Sequence, residues 1–242
     1  MVTRIDEIAD GIFRISTLIP DIAPPAGFSF NQFLVMADEP LIFHCGMRGL
    51  FPAVSAAVAT VTPIEAMHWI SFGHVEADEC GAMNNWLAAA PQAQVVHGMT
   101  ACLVSLNDLA DRPPRALADN EVLDLGGKRV RWIDTPHVPH AWESGLMFEE
   151  TTGTLFCGDL FTHAGDGPPV TAGDITQAAI GTEEVFHSVS LGSATAPTVR
   201  ALKRFAPKRL ATMHGSCFEG DCERALDSLA DYFDDAHRRA SD

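Results

Sequence analysis

The chain has 242 residues, 47% hydrophobic and 20% charged, a globular balance with room for a large core in one large domain or two small ones. Asp and Glu number 32 against 16 Lys and Arg, a formal net charge of −16, which argues against nucleic acid and anionic membrane because polyanions reward excess positive charge. No apolar run approaches the roughly 20 residues that span a bilayer, and MVTRIDEIADGIFRIST lacks the pattern of a signal peptide, so a cytoplasmic protein is expected.

In chain order, RIDEI (4–8), GIFRIS (11–16), FSFNQFLVMA (28–37) and PLIFHCG (40–46) read as short strands closed by Gly, Pro and Asp. GLFPAVSAAVAT (49–60) has helical spacing and MHWISF (67–72) reads as a strand. DECGAMNNWLAAA (78–90) opens a helix with Asp78 as its expected N-cap. A strand at AQVVH and a helix near 98–108 precede strands at KRVRWID, SGLMFEE and GTLFCGD, the last two joined as a hairpin by TTG. THAGDGPPVTAGD (162–174) reads as a loop and 181–206 as mostly helical. KRLATMH is a strand, and a final helix from about 220 carries Leu226, Leu229 and Phe233 at three- and four-residue steps. Sheets in both halves, each followed by helices, predict a four-layer αβ/βα sandwich in one domain over residues 1–242.

Metal-ligand residue types gather at the ends of these strands: His74, Glu76, Asp78 and Glu79; His137 and His140; Asp159; and His214. In an extended stretch alternate residues face the same way, so His74, Glu76 and Asp78 can enter one site. Bare carboxylates brought together repel, and a bound cation removes that penalty. The six cysteines lack Cys-x-x-Cys spacing, which disfavours a zinc knuckle or a disulfide framework. Cys80 and Cys217 flank ligand stretches, either as partners of a metal site or as buried thiols in its wall. His44, His68, His97, His187 and His237 show no convergence.

The pattern His-x-Glu-x-Asp, a histidine in TPHVPHAWESG, then GDLF, then MHGS resembles the metallo-β-lactamase superfamily over the whole chain. HVEADECGAMN, GDLFTH and HGSCFEGD look most like flavodiiron-type oxygen-binding diiron proteins without a flavodoxin domain. NQFLV and FHCG match the superfamily's second and third strands, although FHCG departs from the usual Ile-Asp-Thr-Gly. The resemblance implies one iron held by His74, Glu76 and His140, a second by Asp78 and His214, and Asp159 bridging both, with an oxo, hydroxo or peroxo bridge. His137 is an alternative to His140. Glu79 is a further donor or a helix cap, and His163 reaches the site or is exposed.

Hydrolytic zinc relatives usually carry His-x-His-x-Asp-His, whereas Glu76 and Glu79 replace two imidazoles here, and two His with a carboxylate is an iron arrangement. The expected function is binding of O2 or NO at a nonheme diiron site, with possible reduction. The alternatives are a two-metal hydrolase using zinc or manganese, and a non-catalytic oxygen sensor. Since the chain stops at Asp242 with nothing left for a flavodoxin domain, no bound flavin is expected and electrons would come from a separate flavoprotein or rubredoxin. The resemblance also implies a homodimer.

Overall fold

Strand β4 (Leu41–Phe43) shows why the chain forms layers. Leu41 and Phe43 pack into one apolar cluster and Ile42 into another, so the strand needs cover on both faces. Strand β10 (Gly145–Glu149) repeats the pattern in the second half, with Met147 on one side and Leu146 and Phe148 on the other. The computed structural model, which describes residues 2–241, meets that demand with two facing sheets.

The first sheet runs β1 (Val2–Ala9), β2 (Ile12–Ile19), β3 (Phe28–Val35), β4, β5 (Trp69–Ser71), β6 (Gln94–Gly98), β7 (Arg115–Leu117) in spatial order. It is antiparallel up to β4 and parallel from β4 onward. The second sheet comprises β8 (Val122–Asp124), β9 (Arg129–Asp134), β10, β11 (Thr154–Phe156), β12 (Val170–Thr171), β13 (Arg209–Ala211) and β14 (Cys217–Glu219). Its spatial order is β12-β14-β13-β11-β10-β9-β8.

Helices α1 (Phe51–Val58), α2 (Ala77–Cys80) and α3 (Met83–Ala89) lie in the first half. They are followed by α4 (Met99–Ala101), a π-helical turn at Cys102–Leu106 and α5 (Asn107–Leu109). Helices α6 (Ile175–Phe186), α7 (Thr195–Ala201) and α8 (Cys222–Ser241) lie in the second half.

Three apolar clusters fill the three gaps between four layers. Val54, Val58 and Trp86 of α1 and α3 pack on Leu34, Ile42 and Ile70 of the first sheet. Phe33, Phe43, Trp132, Met147 and Phe156 meet between the sheets, and Leu226, Leu229 and Phe233 of α8 pack on Leu155 and Leu210 of the second. The expected αβ/βα sandwich is therefore the observed one.

Local departures have local causes. Strands β7, β8 and β14 have three residues each and β12 two, too short to show a period, and β12 lies inside the Gly- and Pro-rich segment read as a loop. Helix α6 starts at Ile175 because the Asp174 carboxylate accepts the N–H groups of Thr176 and Gln177, and it stops at His187 in the left-handed region. Asp78 is not an N-cap. Glu76 holds that position with extended backbone (φ −136°) and no side-chain cap, leaving Asp78 free in the first turn.

Trp132 fills the space between the sheets under two glycines. A Cβ on Gly145 would lie 2.1 Å from its ring and one on Gly98 2.8 Å from its Nε1. Gly145→Ala should therefore destabilise the fold by about 1–3 kcal/mol through overpacking, read as a lower denaturant midpoint at unchanged slope.

Candidate metal centre

Strand direction brings the candidate residues together. β10 is antiparallel to both β9 and β11, and β11 is parallel to β13, so β9, β11 and β13 all end on one edge of the second sheet. His140, Asp159 and His214 follow those ends, and His74 follows β5 of the first sheet. Two backbone bonds join the sheets beside them: Gly145 N–H donates to Gly73 O and Asn31 N–H to Met213 O, both at 2.9 Å.

His74, Glu76, His140 and Asp159 each offer one donor atom, and all four atoms lie within 4.8 Å of one another. His74 Nε2 is 2.8 Å from Glu76 Oε2 and 2.9 Å from His140 Nε2, and His140 Nε2 is 3.2 Å from Glu76 Oε2 and 3.3 Å from Asp159 Oδ2. Donors that each bind one ion at about 2.0–2.1 Å stand about 2.8–3.4 Å apart, and these four distances fall in that range, while His74 Nε2 to Asp159 Oδ2 is longer at 3.8 Å. Burial acts to lower the pKa of His74, but Glu79, Glu76 and Asp159 outweigh it and push it up to about 12. Hydrogen bonds from His140 and His74 hold Glu76 well below the usual carboxylate range, and Glu76 in turn raises His140. The two ring nitrogens, 2.9 Å apart, crowd each other whenever both carry protons, and a divalent ion in place of those protons satisfies both and the carboxylates.

A second set faces the other oxygen of Asp159. His214 Nε2 lies 3.2 Å from Asp159 Oδ1 and 3.4 Å from Asp78 Oδ2. Its Nδ1–H donates to Ser29 O at 2.8 Å, which leaves Nε2 toward the carboxylates. Burial opposes protonation of His214, yet Asp159 and Asp78 carry its pKa up to about 10. Asp159 Oδ1 is buried without a hydrogen-bond partner, the condition of a carboxylate oxygen shaped for an ion. A pocket of about 360 Å³ opens onto both sets, walled on its apolar side by Ile22, Phe28, Phe30 and Phe186. The Phe28 ring lies 4.3 Å from the His214 ring.

The remaining candidates fall elsewhere. His137 is exposed, with its N–H bonded to Ala141 O, and takes no part in the cluster. His163 is buried with both nitrogens used: Nδ1 donates to Phe161 O at 2.8 Å and Nε2 accepts Ser216 N–H at 2.9 Å. Cys80 is half-buried and burial, with Glu79, pushes its thiol up to about 11. Cys217 is buried between the sheets, and both are free thiols outside the cluster. Asp78 turns to His214 because residues 74–78 are a turn and the start of α2, not the extended stretch expected.

Glu79 is fully buried behind His74. Its Oε2 accepts the N–H of Gly73 and, at 2.9 Å, of His74, and its Oε1 lies 3.3 Å from His74 Nδ1 and 3.5 Å from His44 Nε2. Burial works against its charge and also lowers the pKa of His44, and the ring and amide of His74 together with His44 hold Glu79 below the usual carboxylate range. His44 was invisible as part of this group in the sequence. The signal was its place: β4 and β5 are parallel neighbours, so His44 ends its strand beside the stretch that leads to His74.

Residues 28–215 match the family described as ODP family beta lactamase. The chain belongs to this family. ODP-family membership agrees with a 25% identity over 197 residues to the putative diflavin flavoprotein A 2 of Synechocystis, covering 78% of this chain and 33% of that protein. The chain thus spans about a third of that curated relative. Its backbone superposes on a 1–254 fragment of the putative diflavin flavoprotein A 5 of Nostoc with a TM-score of 0.83 at 15% identity, covering 99% of this chain and 98% of the other. It also superposes on rubredoxin oxygen:oxidoreductase of Desulfovibrio gigas with a TM-score of 0.81 at 17% identity, covering 96% and 62%. These two likenesses establish the metallo-β-lactamase-like fold of the flavodiiron cores. No helix among the described residues is long and apolar enough to cross a membrane.

The protonated imidazoles predict how the site takes up divalent ions. With pKa values raised from 6.5 to about 12 and about 10, His74 and His214 both hold protons between pH 7 and 9, and an incoming ion must displace them. Apparent affinity should rise with pH through that window, about tenfold per pH unit for each proton released. Calorimetry in two buffers of different ionisation heat should find net proton release, and pH-independent uptake would contradict it.

Proposed function

We propose that this ODP-family chain acts, as one domain over residues 1–242, as a nonheme diiron protein that binds dioxygen or nitric oxide. His74, Glu76 and His140 would hold the first iron and Asp78 and His214 the second, with the two oxygens of Asp159 shared between the two sets. The observation that carries this reading is the orientation of Asp159, whose Oδ2 faces His140 at 3.3 Å while Oδ1 faces His214 at 3.2 Å. Two imidazoles with a carboxylate and an open position suit redox iron, and three carboxylates nearly balance a pair of divalent ions. Iron held there would supply electron transfer to a small oxidant.

The chain's own residues set what reaches it. Phe28, Phe30, Ile22 and Phe186 line the approach, so a small neutral molecule enters at little cost while a hydrated ion must shed water against aromatic rings. Hydrogen bonds from Nδ1 of His214 to Ser29 O fix that ring, and Thr162, whose hydroxyl donates to Asp159 O at 2.7 Å, closes the turn that presents Asp159. The name of the rubredoxin oxygen:oxidoreductase that shares the fold supports a reduced rubredoxin as electron donor; a separate flavoprotein as the alternative donor and a homodimer as the assembly belong to the same proposal.

Protein loaded anaerobically with ferrous iron should hold close to two irons per chain and change its near-ultraviolet absorption on exposure to air, where the zinc-loaded form does not. Asp159→Ala should lose both irons, because the bridge serves each set. Sustained oxygen consumption should require an added reduced rubredoxin or flavoprotein. One ion per chain, or hydrolysis of a thioester or lactam by the zinc-loaded protein with no response of the iron form to oxygen, would overturn the proposal.

A further inference from the structure

We propose that Glu79 is a positioning residue for His74: its buried carboxylate holds the Nδ1–H of His74 and so commits Nε2 of that ring to the metal cluster. The inference rests on the reading that His74 holds a metal and concerns what stands behind it. Glu79 occupies the place where hydrolytic relatives of the fold carry their last histidine, which invites a role as donor to the second ion. Its contacts point the other way.

Oε2 is taken by two backbone amides, of Gly73 and His74, and Oε1 sits 3.3 Å from His74 Nδ1 and 3.5 Å from His44 Nε2. The cavity around the carboxylate is built for it. A Cβ on Gly73 would lie 3.0 Å from Oε2 and one on Gly158 3.6 Å from Oε1, so any other residue at 73 would press on the carboxylate. His44 lies beyond Oε1 with its Nδ1–H on Asn31 O at 3.2 Å, and burial pushes its pKa down, so Nδ1–H of His74 is the donor that Oε1 can take. The side chains of His44 and Glu79 have no exposure at all, and Glu79 Oε1 is buried with no hydrogen-bond partner closer than His74 Nδ1 at 3.3 Å.

The consequence is asymmetry. His74 gains a carboxylate behind it, which fixes the ring and makes it a better donor, while the set of Asp78, His214 and Asp159 gains nothing from Glu79. His74 cannot turn its Nδ1 into the cluster without leaving Oε1 of the buried Glu79 carboxylate without a donor.

The test is ring-nitrogen NMR on protein labelled with 15N-histidine, in metal-free and zinc-loaded forms, together with zinc affinities of the two sites by chelator competition. Wild-type protein should show His74 with a downfield, exchange-protected proton on Nδ1 in both forms. Glu79→Gln removes the charge and presents an amide that favours the other tautomer. It should move that proton upfield, speed its exchange and weaken the first zinc by roughly 10–100-fold while leaving the second near its wild-type affinity. Loss of the second zinc in Glu79→Gln with the His74 proton unmoved would make Glu79 a metal donor and overturn the proposal. So would a wild-type His74 with no proton on Nδ1, a result that needs no variant to fold. If wild-type protein binds no metal, the diiron reading fails, and the Nδ1 proton of the metal-free form still decides the role of Glu79.

Discussion

Three carboxylates and three imidazoles lie within touching distance of Asp159 or one step behind it, and that crowding of charge is the constraint around which the rest is arranged. Like charges so close raise one another's cost unless cations, protonated or metallic, are placed between them. The fold answers by drawing residues from both sheets. β9, β11 and β13 end together on one, β5 ends opposite, and the Gly73–Gly145 and Asn31–Met213 backbone bonds hold the two edges in register. Trp132, wedged beneath Gly145 and Gly98, fills the space next to that seam, so packing of the interior and placement of the donors are one problem.

The central role of Asp159 follows from a turn, not from the strand that precedes it. Gly158 adopts φ +51° and Phe161 φ +64°, so the chain reverses sharply on either side of the carboxylate. The Thr162 hydroxyl and amide both return to Asp159 O, which fixes the backbone while the side chain projects between His140 and His214. A side chain so held can face two groups at once without choosing between them.

Much of this was legible before any coordinate. Strand ends decorated with ligand types mark a single edge of an αβ/βα sandwich, and the strong periods of β3, β9 and α8 locate the layers. What the sequence hid has physical causes. Strands of two or three residues carry no period. The alternation of His74, Glu76 and Asp78 suggests one extended face, but α2 begins at Ala77 and sends Asp78 to His214 instead. His137 and His140 differ only in where the 135–141 turn points them, and that depends on backbone geometry such as φ +65° at His137. Glu79 could not be oriented because nothing in its neighbours along the chain announces His44, which reaches it from β4 through sheet pairing.

The most direct measurement of the central claim is a crystal structure of the iron-loaded protein with anomalous data on both sides of the iron absorption edge. Two iron peaks are expected on opposite sides of Asp159, one among His74, Glu76 and His140 and one beside Asp78 and His214, with the Glu79 carboxylate still behind His74. A single peak, or two that do not share Asp159, would contradict the account.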